Sequence, residues 1–233
     1  MLTARTEKVK LIFEKQVLHY FLLILLLTCI FIVSQFEGFL TGQFLNTSTF
    51  IWFYSAIVIA VLHQVYVWFC WRIQLHFSLI TEKYGHKGFI YYSIGFMILF
   101  ILRFVFVVGL AIANMNTLNA SQLLLNILAF LIAIPAVYLL YSVVRYFTIE
   151  RALGIDHFDI SYSKKPFVRE GIFKFTSNGM YFFGLLVFWI PGLLCSSQAA
   201  LLLALFNHVY VWVHYYTTEK PDLRRIYGLS KSS

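Results

Sequence analysis

The amino-acid sequence predicts an all-α polytopic membrane protein, a helix bundle of about six transmembrane helices that ends in a tight helical hairpin. Three observations predict it. Of its 233 residues 61% are hydrophobic and only 12% are charged, whereas a soluble domain carries about a quarter charged residues. Such a chain cannot cover a water-facing surface. Apolar runs recur that are long enough for the roughly 30 Å hydrocarbon core, which takes about 20 helical residues. Lysine and arginine fall between those runs in strict alternation, which is the pattern of the positive-inside rule.

In chain order, Val17–Phe36 and Phe50–Trp71 contain no formal charge. The first run is too long, and lacks the small-residue cleavage pattern, for a removed signal peptide. Phe89–Ala113 contains one charge, Arg103, and Leu123–Phe147 contains one, Arg145, near its end. Pro135 lies mid-span and is expected to kink its helix. Met180–Tyr216 is too long for a single crossing. Pro191-Gly192 and Cys195–Gln198 interrupt it near its middle, so it is expected to be two helices folded as a hairpin.

The charges set the orientation. Arg5, Lys8, Lys10 and Lys15 precede the first span. Arg72, Lys83 and Lys87 lie in the second connection, and Arg151, Lys164, Lys165, Arg169 and Lys174 in the fourth. Lys220, Arg224, Arg225 and Lys231 form the tail. The other connections, Glu37–Thr49, Asn114–Gln122 and Cys195–Gln198, carry no Lys or Arg. Both termini are therefore expected in the cytoplasm, of a bacterial inner membrane or of the endoplasmic reticulum. The net charge of +8 reads as a topology signal rather than a nucleic-acid footprint. Asn46 and Asn119 head glycosylation sequons on outer loops, relevant only in a secretory-pathway host.

Cys29, Cys70 and Cys195 show no paired spacing, and no disulfide framework or metal knuckle is expected. His208 and His214 lie six apart, off the i, i+4 geometry of a helical metal site, which favours polar helix packing. His19 and His63 read as packing or interfacial residues. The histidine clusters of membrane di-iron enzymes are missing. Arg103 is costly at mid-bilayer and should face the bundle interior or a wet cavity, as a headgroup contact or a structural ion pair. With so little extramembrane chain, chemistry must occur at the membrane face. Thr148–Gly179 and His214–Gly228 flank the terminal hairpin and should meet on one side, which makes them a candidate site.

Three motifs lie there in order: Leu153-Gly154-Ile155-Asp156-His157-Phe158, Asn178-Gly179-Met180-Tyr181, and Glu219-Lys220-Pro221 followed by Tyr227. Over roughly Leu123–Gly228 the chain resembles the membrane methyltransferases that include phosphatidylethanolamine N-methyltransferase and the isoprenylcysteine carboxyl methyltransferases. It departs from them at Gly179, where the family has proline, and at Lys220, where it has a second glutamate. Gly184 stands one residue late after Tyr181, and the Gly-x-Gly of the preceding span is absent. The resemblance divides the chain into residues 1–122, three N-terminal helices, and 123–233, a methyltransferase-like core.

The resemblance implies S-adenosylmethionine as cofactor and a membrane lipid as substrate, with no metal and no nucleic acid. The methyl acceptor it favours is a lipid amine such as phosphatidylethanolamine. Carboxyl methylation of a prenylcysteine or another small amphiphile is the alternative, and a non-catalytic lipid-binding protein a further one. It implies cofactor-binding roles for Asn178, Met180, Tyr181, His214 and Glu219, the last on the ribose hydroxyls or the ammonium. Asp156 and His157 are the candidates to take the amine proton. Arg103, Arg145 and Arg151 are the candidate substrate contacts, and a prenylcysteine carboxylate would call on Arg145 or Arg151.

Overall fold

The computed structural model describes residues 2–228; Lys231 of the basic tail lies outside the described residues. The chain is a helical membrane bundle. Helix α1 (Leu2–Ile12) turns at Lys15 into α2 (Gln16–Ser34). A small antiparallel hairpin, β1 (Gln43–Phe44) and β2 (Thr47–Ser48), follows. Then come α3 (Thr49–Phe77), the short α4 (Leu79–Tyr84), α5 (Lys87–Ala113) and α6 (Gln122–Ser142), which runs on as a wide π turn to Phe147. After α7 (Ile149–Ala152) the chain runs through short turns to α8 (Gly179–Phe183) and α9 (Trp189–Leu194), joined by a 3-10 turn. It ends with α10 (Gln198–His214), a π turn over Tyr215–Glu219, and α11 (Lys220–Tyr227).

Among the described residues four helical runs are long and apolar enough to cross a membrane: Arg5–Ser34, Thr49–Phe77, Lys87–Ala113 and Gln122–Phe147. The arms of the terminal hairpin are shorter. Gly179–Leu194 tightens into the 3-10 turn at its middle, and α10 spends Asn207 and His208 on polar contacts rather than on lipid. The expected break at Pro191-Gly192 and Cys195–Gln198 is real. Gly192 packs so closely on the second arm that a Cβ there would stand 3.0 Å from the Leu201 nitrogen. Ser197 caps α10 by accepting from the Ala200 N–H.

Helix α10 is the centre of the bundle, packed by α2, α3, α5 and α9. Ala199, Ala200, Leu203, Ala204 and Tyr210 are fully buried on it. Lipid tails are as apolar as leucine, so helices associate here by close contact of small residues and by polar bridges rather than by escape from water. Helix α6 is peripheral: Leu123, Phe130, Val137 and Leu140 face outward.

The connections gather at two ends, as the charge alternation requires. At one end Asn114 donates to the carbonyls of Phe39 and Thr41, each at 3.0 Å. It accepts from Thr117 at 2.8 Å and from the Ser197 hydroxyl and the Ala199 N–H at 3.0 Å. All three connections without lysine or arginine are thus tied through one buried amide. At the other end Arg72 of α3 joins the N-terminal segment to the tail.

Candidate functional site

The site is built on the last turns of α3, which runs as helix six residues beyond the expected end at Trp71, to Phe77. This extension carries Arg72 into the protein. Its guanidinium is fully buried and donates to Asp222 Oδ2 of α11 at 2.7 Å. The remaining N–H groups go to the carbonyls of Leu11 and Ile12 and to those of Thr217 and Thr218, at 3.3 and 3.2 Å. The Thr217 carbonyl has a reason to be available. Pro221 lacks the N–H that would bond the Thr217 carbonyl in a regular helix, the backbone widens into the π turn, and Arg72 supplies the donor.

Asp222 also faces His157, whose Nε2 lies 3.7 Å from Oδ2. The other ring nitrogen, Nδ1, meets Asp156 Oδ1 at 3.2 Å, and the Tyr227 hydroxyl donates to Asp156 Oδ2 at 3.2 Å. The His157 ring stacks on Trp71, centroids 4.1 Å apart. Gly154 is what permits that approach. It sits at φ +80°, and a Cβ on it would stand 2.4 Å from the Trp71 ring. The sequence expectation that Thr148–Gly179 and the tail share one face therefore holds.

Burial opposes charge on His157, but the carboxylates of Asp156 and Asp222 outweigh it and push the imidazole up to about 9. Asp156 goes down: burial works against ionisation, and the His157 and Tyr227 hydrogen bonds overcome it. Glu219 goes the other way. Burial lifts its carboxyl to about 7, with the Tyr181 hydroxyl and His157 only partly countering this. It closes the π turn on the same side as His157.

The other sequence candidates fall in distinct places. Asn178 immediately precedes α8 and its side chain makes no cap. Met180 packs on the cluster of Leu139, Ile172 and Phe173. The Tyr181 ring lies 4.7 Å from Tyr215 and 5.5 Å from Trp212. His214 is buried 5.9 Å from Trp71, with neither ring nitrogen hydrogen-bonded.

The three arginines share no partner. Arg103 faces the bundle interior and is 4% exposed. It bonds Asn207 Oδ1 through Nε at 3.1 Å and again through Nη2, bonds His63 Nδ1 at 3.1 Å, and lies over the Phe188 ring. The expected alternative of a structural ion pair is corrected: the spans around it offer no carboxylate, and an amide takes its place. Arg145 is exposed beside Tyr146. Arg151 is clamped on the Pro166 carbonyl at 3.1 and 3.2 Å.

Sequence reasoning missed Trp71, Arg72 and Asp222 as members of this cluster. The signal for Asp222 was its place on the same helical turn as Glu219. The signal for Arg72 was the absence of any helix breaker before Ser78, which takes the left-handed φ of 55° that ends α3. Among the described residues no group of three or more His, Cys, Asp or Glu is placed to hold a metal.

No curated protein and no solved structure matches the chain. The family model described as phospholipid methyltransferase matches residues 124–230, from the start of α6 into the tail. That segment, a little under half of the chain, holds Asp156, His157, Glu219, Asp222 and Tyr227, so the cluster lies within the part of this integral membrane protein that is similar to phospholipid methyltransferases.

Proposed function

We propose that the chain is an S-adenosylmethionine-dependent methyltransferase acting on a lipid amine such as phosphatidylethanolamine, with both termini on the cytoplasmic side. The observation that carries the reading is the Tyr227–Asp156 contact. It closes the two flanks of the hairpin into one cluster within the family segment. The cytoplasmic assignment is supported by the basic connections gathering at that end.

The residues present fit the cofactor's chemistry. Both nitrogens of His214 and Nε1 of Trp71 are buried without a hydrogen-bond partner, a demand that a polar ligand would meet. Tyr181, Trp212 and Tyr215 offer aromatic faces suited to a cation. Asn178 just before α8, Met180 and Tyr181 on it, and His214 would hold the group. When bound it supplies an electrophilic methyl.

A lipid ammonium must lose a proton before it attacks. His157, protonated between two carboxylates, is not free to accept one at neutral pH, and Asp156 is committed to His157 and Tyr227. Glu219, poised near neutrality, is the group matched to that transfer. Asp156 and His157 then act by shaping the cluster. Positioning supplies the remainder, because an in-line displacement depends on alignment of donor and acceptor.

The test is incubation of purified protein in liposomes with methyl-labelled S-adenosylmethionine. Label is expected in phosphatidylethanolamine derivatives and not in a farnesylcysteine analogue. Absence of cofactor binding would end the reading. Label in the farnesylcysteine analogue alone would replace the lipid amine by a carboxylate. Glu219→Gln is expected to lower kcat by about 100-fold or more; normal turnover would remove its role.

A further inference from the structure

A basic groove beside this cluster takes part in none of those steps. Arg151, Lys165, Pro166, Phe167, Arg169 and Glu170 line it, three cations against one carboxylate. Arg151 is preorganised there. Two of its N–H groups are spent on the Pro166 carbonyl, and its guanidinium lies over the Phe147 and Tyr162 rings at 5.9 and 6.0 Å. The Lys165 ammonium rests 3.3 Å over the centre of the Tyr162 ring. One wall of the groove, Phe167, packs at 4.9 Å on Tyr227, the residue whose hydroxyl touches Asp156. The groove and the Asp156 cluster therefore share a wall.

We infer that this groove is the subsite for the phosphodiester of the lipid substrate. An excess of cations with a fixed guanidinium fits a phosphate oxyanion. The exposed Phe167 and Ile160 beside it give an apolar approach that a lipid uses and a free ion does not. An ethanolamine arm is two carbons long, so a phosphate held here would direct its amine across Tyr227 into the cluster behind it. The inference takes its direction from the lipid-amine reading, and it makes phosphate, not only the amine, the mark of the substrate.

Lys165 and Arg169 are exposed, so their replacement leaves the bundle intact. The experiment titrates dihexanoyl phosphatidylethanolamine into the full chain in an uncharged detergent, read by phosphorus NMR line width without cofactor. The double variant Lys165→Gln/Arg169→Gln is expected to bind at least about tenfold more weakly. The charge-conserving Lys165→Arg/Arg169→Lys is expected to keep the wild-type affinity. Equal binding by wild type and the glutamine variant would overturn the subsite. Inorganic phosphate bound as tightly as the lipid would overturn its assignment to a lipid. Charge-dependent lipid binding by a protein that transfers no methyl would uphold the subsite and reject the reaction alone.

Discussion

The two ends of the bundle are stitched by opposite chemistry. At the end without lysine or arginine Asn114 ties three connections with neutral hydrogen bonds, and both faces of its amide are satisfied. At the charged end Arg72, Asp222 and His157 do the equivalent work with buried charge, while several nearby ring nitrogens remain without partners. A neutral, satisfied hub costs little to bury and has nothing left to offer. A charged hub costs more, because each ion gives up its hydration, and its unsatisfied neighbours can meet a ligand. The difference separates a structural end from a reactive one.

The largest effect should come from cutting the charged hub. Arg72→Met leaves Asp222 buried without its main cation and is expected to cost about 3–5 kcal/mol, read as a fall in melting temperature in detergent. Adding Asp222→Leu to it should recover most of that stability, since a buried pair replaced by apolar groups is often neutral. Methyl transfer should stay lost in the double variant. Recovery of turnover together with stability would make the pair a scaffold only.

Asn114→Ala probes the other end. It strips partners from buried carbonyls and should cost about 1–3 kcal/mol, with turnover per folded molecule unchanged. Loss of turnover out of proportion to folding would erase the contrast between the ends.

A pH series sharpens it further. His157 is raised in the fold from 6.5 to about 9, so the folded state holds its proton more tightly than the unfolded chain. That contribution is complete below pH 6.5 and is lost as the pH rises through 9. Melting temperature should therefore drop across that window, and His157→Gln should flatten the drop.

The smallest effect belongs to Gly179→Ala. A Cβ there meets Ile172 and Phe173 at 3.4–3.5 Å, ordinary contact. The substitution in the first turn of α8 should stabilise by about 0.4–1 kcal/mol. A loss would show that the glycine standing where the resembled family has proline serves more than helix initiation.

The fold was largely legible because bilayer thickness and charge alternation are one-dimensional signals. The breaks at Pro191-Gly192 and Cys195–Gln198 located the hairpin, and the alternation placed its two flanks together. Burial of charge was not legible. Arg72 follows the last apolar residue of its run and reads as a loop cation, until the helix carries it inside. Arg103 invited an ion pair, because nothing in sequence marks an amide 104 positions later as its partner. Motif order found Asp156, Glu219 and Tyr227. It could not say that Met180 would sit in apolar packing while His214 faces Trp71, since those outcomes depend on which helices become neighbours.

The Arg72–Asp222 contact joins residues 150 positions apart, and it bears on how the chain is made. When α3 enters the membrane its arginine has no counter-ion, and none arrives until the C-terminal tail has been synthesised. The turn of α3 that carries Arg72 must therefore wait in the wet headgroup layer while the later spans insert. Only α11 can draw it inward, so closure of the site also reports that the spans between α3 and α11 are in place.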